Sequence, residues 1–135
     1  MPRDMSGTVE SGRGLGVDRM TDPALLEQLQ VLAGCPILPG TLNLRLHAAL
    51  DRGDHWRYVA ATDIAPDWEQ LTGQAGYYLS PITIAQRYRG LAFQADEPAG
   101  SGYPTDLIEL FSEVHLRTAL GLSDGDQLVV ALRDS

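Results

Sequence analysis

One seven-residue stretch constrains the fold of this chain more than any other. Thr41 to His47 reads TLNLRLH, with Leu42, Leu44 and Leu46 alternating with Thr41, Asn43 and Arg45. Successive side chains of a strand point to opposite faces, so a period of two gathers the leucines on one side and the polar residues on the other. Gln127–Leu132, Leu107–Phe111, Leu91–Ala95, Gly76–Ile84 and Tyr58–Ala61 also read as strands, as does Gly7–Ser11 with Val9 as its apolar anchor. Fourteen Gly and eight Pro among 135 residues supply the turns, without a repeat period. Pro36–Gly40 reads as a rigid connector, residues 48–57 and Asp96–Pro104 as loops, and Asp124-Gly125-Asp126 as a tight turn. A helix is predicted from Asp22 as N-cap and Pro23 as first residue, through Leu25, Leu26, Leu29 and Leu32, to a stop at Gly34. Ser112 is predicted to cap a second helix that carries Leu116 and Leu120 and ends at Gly121. Six or seven short strands with two short helices suit a mainly β, small closed barrel, which leaves no exposed edges. The length fits one domain, residues 7–135, after a flexible tail at residues 1–6.

Composition narrows the chemistry. The net charge is −8, so the chain lacks the basic surface that strong non-specific nucleic-acid binding needs. All ten basic residues are arginine. Without lysine there is no P-loop, no Schiff base and no kinase site built on a strand lysine. An anion must instead be held by backbone N–H groups, a few placed arginines and a divalent cation. Cys35 is the only cysteine, so no intramolecular disulfide can form. His47, His55 and His115 lack zinc spacing, and Cys35 has no partner histidine nearby in sequence. No run approaches the ~20 apolar residues of a membrane helix. The first residues lack the apolar core of a signal peptide, so the expected setting is the cytoplasm.

Four features can carry chemistry, each with a plainer alternative. Gly12-Arg13-Gly14-Leu15-Gly16 places glycine at every second position, which lets backbone approach a ligand and aim N–H groups at an anion; the alternative is a flexible hairpin turn. Thr41 and Asn43 offer a hydroxyl and an amide oxygen on one strand face, neutral donors that suit a hard cation such as Mg²⁺; the alternative is a solvated face. Glu109 interrupts the apolar run LIELF and invites a hydrogen-bonding ligand; the alternative is a surface glutamate on an edge strand. His115-Leu116-Arg117 opens the short helix, where Arg117 and helix-start N–H groups can meet a phosphate; the alternative is a solvated helix face.

SGRGLG (Ser11–Gly16), PGTLNLRL (Pro39–Leu46), SGYPTDLIEL (Ser101–Leu110) and HLRTALGLSDGDQLVV (His115–Val130) occur in this order. Together they resemble the archaeal-type CTP-dependent riboflavin kinase family, from about Gly7 to Leu132. The pairing of PGTLN with the LR and LGLSDGD segments is specific; the glycine segment alone is not. The resemblance implies a closed six-stranded cradle-loop barrel of the swapped-hairpin, riboflavin-kinase-like kind. It implies a phosphotransferase that moves the γ-phosphate of CTP to the 5′-hydroxyl of riboflavin, giving FMN, with Mg²⁺. It assigns Gly12, Arg13, Gly14, Leu15, Gly16, Val17 and Asp18 to the nucleotide, with Val114, His115, Leu116 and Arg117 as a second nucleotide segment. Thr41 and Asn43 match the metal ligands. Ser101, where the family usually has threonine, and Glu109 match flavin contacts, and Glu109 is also a candidate base. Val17 stands where the family often has a charged or aromatic residue, and Asp51–Gln74 departs from the family pattern. Many relatives carry an N-terminal DNA-binding domain, which is not expected here.

The expected partners are therefore small molecules, riboflavin and FMN with CTP and CDP. Neither nucleic acid nor membrane is expected as a partner, and a monomer is. Phosphoryl transfer fits a lysine-free site because it asks for positioning and charge neutralisation more than covalent chemistry. CTP as donor comes from the resemblance alone. Two other readings stay open: a non-catalytic flavin or nucleotide sensor, and a DNA-associated regulator, which the charge opposes.

Overall fold

A computed structural model describes residues 4–10, 23–38, 42–48, 50, 56–60, 76–96 and 106–133, with backbone alone at 23–25 and 95–96. The strands are β1 (Asp4–Glu10), β2 (Leu42–Leu46), β3 (Arg57–Ala60), β4 (Gly76–Ile84), β5 (Tyr88–Asp96), β6 (Leu107–Ser112) and β7 (Gln127–Leu132); the helices are α1 (Pro23–Ala33) and α2 (Leu116–Ala119). All pairings are antiparallel. They run β4-β5-β6-β2-β1-β7, and β7 pairs back to β4, so six strands close into a barrel while β3 extends β4 outside the ring. Closure leaves few edges for another chain to pair with.

Alternation decides the interior. Leu42, Leu44 and Leu46 of β2 lie in one buried cluster with Val9, Ile82, Ile84, Ala92, Ile108, Leu110, Leu128, Val130 and Leu132. Each fully buried aliphatic side chain contributes about 1.5–3 kcal/mol. A second buried cluster lies outside the ring, where Leu29 and Ala33 of α1, with Cys35 and Ile37, cover Tyr77, Leu79, Leu91, Phe93 and Phe111. Strands β4, β5 and β6 are thus apolar on both faces, which explains their near-continuous hydrophobic runs.

Several boundaries differ from expectation. β1 begins at Asp4, because Asp4, Met5 and Ser6 pair with Ala131, Val130 and Val129, so the expected tail does not reach residues 4–6. β5 begins at Tyr88, since its pairing with β4 continues to Ile84. β3 spans Arg57–Ala60, one residue earlier than predicted. Ser112 ends β6 and caps no helix. Its Oγ donates to the Arg89 carbonyl at 3.0 Å and accepts from the Val114 amide at 3.4 Å. His115 takes the cap position without a side-chain hydrogen bond, and Leu120 is the C-cap of α2.

Other signals hold. α1 starts at Pro23 and Gly34 follows it at φ +70°, the left-handed stop that glycine favours. Its last turn has no basic residue, yet Arg133 Nη2 reaches the Ala33 carbonyl at 2.8 Å and Arg89 Nη1 reaches that of Gly34 at 3.3 Å. Pro81 sits where β4 changes neighbours, from β3 at residues 76–79 to β7 at 82–84. Its carbonyl accepts from the Arg133 amide, so the missing N–H faces that changeover and costs no β5 ladder bond. A Cβ on Gly90 would lie 2.0 Å from the Phe111 carbonyl oxygen, so glycine is what lets β5 approach β6 there. Among the described residues no helix is long and apolar enough to cross a membrane.

Candidate functional site

The polar face of β2 points away from the barrel interior, and the register builds a row across it. Glu10 of β1 lies opposite Asn43, Asn43 lies opposite Glu109 of β6, and Glu109 lies opposite Phe93 of β5. Directly opposed residues share a face, so Asn43 stands between Glu10 and Glu109 in that row, with both Glu10 carboxylate oxygens turned to Arg45. Asn43 is nonetheless buried, at 8% exposure, so this part of the face is not solvated. Glu109 is half-buried and β6 lies between β5 and β2, so Glu109 is not a surface glutamate on an edge strand. The interruption of LIELF now has a cause. Ile108 and Leu110 fill the barrel, Phe111 lies in the outer core, and Glu109 sits between Leu107 and Phe111 on the outer face, beside Asn43.

Arg45 stands two residues beyond Asn43 on the same face. Its Nε donates to Glu10 Oε2 at 2.6 Å and its Nη2 to Glu10 Oε1 at 3.2 Å, while Nη1 donates to Asp106 Oδ1 at 2.7 Å. Hydrogen bonds to Glu10 first and Asp106 second hold the guanidinium well above even its ordinary basicity. Fork-to-carboxylate pairing of this kind is directional as well as strong.

The second expected nucleotide segment meets the end of β1. The turn after α2 docks on Val9, whose amide donates to the Asp126 carbonyl and whose carbonyl accepts from Gly125, both at 2.8 Å. Gly125 holds φ +93° to make that turn. Arg117 Nη2 donates to Asp124 Oδ1 at 2.6 Å and to the Glu10 carbonyl at 3.3 Å. Leu116 is buried in the barrel core and Val114 packs against it, so His115 and Arg117 are the members of this segment whose side chains face outward. Gly12–Asp18, Thr41 and Ser101 lie outside the described residues.

Of the expected residues, Asn43 lies opposite both Glu10 and Glu109 in the register, and Arg117 reaches the Glu10 carbonyl at the end of β1. Sequence reasoning singled out neither Glu10 nor Asp106, and it noted Arg45 only as a polar-face residue. The available signal was the alternation itself, which places Arg45 on the face of Asn43. A cleft of about 420 Å³ lined by Glu27, Val31, Leu32, Arg57 and Val59 lies between α1 and β3. Three strands separate it from Asn43.

Comparison with known proteins bears on this arrangement. The family model CTP-dep_RFKase, described as "Domain of unknown function DUF120", matches residues 9–132. A riboflavin kinase of Methanococcoides burtonii is 30% identical over 135 residues, covering 97% of this chain and 57% of that protein. A riboflavin kinase of Methanoculleus marisnigri is 33% identical over 132 residues, covering 95% of this chain and 56% of that protein. The chain spans just over half the length of these curated relatives. With nearly its whole barrel inside the matched region, the chain belongs to the CTP-dependent riboflavin kinase family.

Proposed function

We propose that this chain is a CTP:riboflavin 5′-phosphotransferase, making FMN with the help of Mg²⁺ in a cytoplasmic setting. The observation that carries the reading is Asn43, an uncharged oxygen donor buried between Glu10 and Glu109 at the end of β1, in a chain of this family. A hard cation that keeps some waters and shares phosphate oxygens suits a neutral amide oxygen with carboxylates close by. The Asn43 amide fits that demand, and Thr41 and Asn43 would hold Mg²⁺. Bound there, the cation supplies neutralisation of phosphate charge. Gly12–Asp18 would hold the nucleotide through backbone N–H groups, with Val114–Arg117 as its second wall. Arg117 is already drawn to the root of the glycine-rich segment by the Glu10 carbonyl. Ser101 and Glu109 would orient riboflavin, and Glu109 is the candidate acceptor for the 5′-hydroxyl proton. A loose transition state asks little of such a base, so orientation is its larger contribution.

The test is direct. The protein is incubated with riboflavin and Mg²⁺ and with CTP, ATP, GTP or UTP separately, and FMN is measured by chromatography. FMN with CTP is the expected result. Calorimetric binding of flavin or nucleotide with no FMN from any donor would replace the kinase reading with a sensor.

A further inference from the structure

β1 ends at Glu10 and β6 is entered from Asp106, and one guanidinium holds both. Gly12 lies two residues beyond Glu10, and Ser101 lies five residues before Asp106. The ladders already pair the strands at these points: Glu10 is opposite Asn43, and the Leu46 amide donates to the Asp106 carbonyl at 2.8 Å. Strand pairing alone leaves the side chains of the two end residues unfixed. Arg45 fixes them, with one edge bidentate on Glu10 and Nη1 on Asp106. The side chains of Arg45, Glu10 and Asp106 are 35%, 36% and 42% exposed. Ion pairs this exposed contribute little to global stability, so stability does not account for a fork of three converging hydrogen bonds. Arg117 adds a tie of its own to the Glu10 carbonyl, so two arginines converge on the residue where β1 ends.

We propose that Arg45 is a positioning residue that holds Glu10 and Asp106 in fixed relation to Asn43, and so aligns the nucleotide-binding and flavin-binding segments for phosphoryl transfer. The proposal rests on the kinase reading above. Arginine is required because its planar fork offers separate edges to two carboxylates, whereas an ammonium is a single compact charge. The two arms do different work. The Glu10 arm acts on the segment assigned to the nucleotide, and the Asp106 arm acts on the segment assigned to the flavin.

The experiment compares Arg45→Met, Arg45→Lys, Glu10→Gln and Asp106→Asn with the wild type. Melting temperature is measured first, then kcat and KM for each substrate, with equilibrium titrations of riboflavin and CTP alongside. Glu10→Gln is expected to raise KM for CTP about fivefold and leave that for riboflavin, and Asp106→Asn to do the reverse. Arg45→Met raises both and lowers kcat, and Arg45→Lys recovers one of the two constants. Folded Arg45→Met with wild-type constants overturns the proposal. So does a lowered melting temperature with unchanged kcat and KM, because that is a purely structural role. Wild-type protein that makes no FMN from any nucleotide defeats the kinase reading. In that case unequal weakening of riboflavin and CTP binding by the two single-arm variants still supports the positioning role, and unaltered binding overturns it as well.

Discussion

Asn43 is buried on the outer side of a barrel, where an amide needs partners and where its neighbours on both strands are acidic. Asn43→Ala removes that oxygen from a face whose leucines point the other way, so the barrel core is untouched. Turnover is expected to fall about a hundredfold or more, while the unfolding free energy read from urea titration falls by no more than about 1–3 kcal/mol. Near-normal FMN output from the folded variant would refute the proposal that Asn43 holds a metal. Cys35 tests a different property. Burial, with Glu113 close by, pushes its thiol above the ordinary value of 9.0. A group with a raised folded value contributes stability below its unfolded value and loses it as pH climbs through the folded one. Stability is therefore expected to decline above about pH 9 more steeply in the wild type than in Cys35→Ala, as read from urea midpoints. At pH 7 the folded thiol should resist iodoacetamide until urea exposes it. Residues like Asn43 and Glu109 were legible because they break or ride a period: one on the polar phase of an alternation, the other interrupting an apolar run. Glu10, Arg45 and Asp106 were not, since their meaning lies in which strand ends the register brings together. Local sequence carries no record of that β1–β2–β6 adjacency.

The β4–β5 hairpin is the element under visible strain. Ala85 and Gln86 both hold positive φ, at 53° and 58°, in a turn closed by the Arg87 amide on the Ile84 carbonyl at 3.0 Å. That turn type favours Asn followed by Gly, and each other L-residue there costs about 1 kcal/mol. Ala85→Asn with Gln86→Gly is expected to stabilise the protein by roughly 1 kcal/mol, seen as a higher urea midpoint at unchanged slope. An unchanged or lower midpoint would show that the turn is held at no cost by the Ala85 amide bond to the Val129 carbonyl. Elements bounded by turn residues were readable from sequence. β4 and β7 begin and end where predicted, and α1 runs from Pro23 to the glycine after Ala33. Starts fixed by distant partners were not readable. Asp4–Ser6 look like a tail until β7 lies beside them, and Tyr88 stands outside the predicted Leu91–Ala95 strand until β4 pairs with it. Ser112 has a cap's chemistry, but β6 claims its backbone and Arg89 its hydroxyl.

Two cores share one set of strands, and that sets how the whole molecule responds to damage. Leu44 fills the barrel, while Leu29 of α1 covers the outer face of β4 and β5; both are essentially inaccessible, at 0% and 1% exposure. Leu91 and Phe93 belong to the outer core, while Ala92 between them belongs to the inner one, so β5 cannot lose one set of contacts and keep the other intact. Arg133 strengthens the coupling, since it follows β7 and caps the C-terminus of α1. The helix is thereby tied to the seam that closes the ring, where Ile82, Thr83 and Ile84 meet Leu132, Ala131 and Val130. Loss of α1 packing should therefore open the barrel rather than leave it standing. Leu29→Ala and Leu44→Ala are each expected to cost about 2–5 kcal/mol, a large part of a domain's usual 5–15. Each should lower one and the same calorimetric transition by about 10 °C, with calorimetric and van't Hoff enthalpies in agreement. If Leu29→Ala instead splits the endotherm, or melts α1 while the β signal keeps its wild-type midpoint, the two cores are independent and the coupling through β5 and Arg133 is refuted.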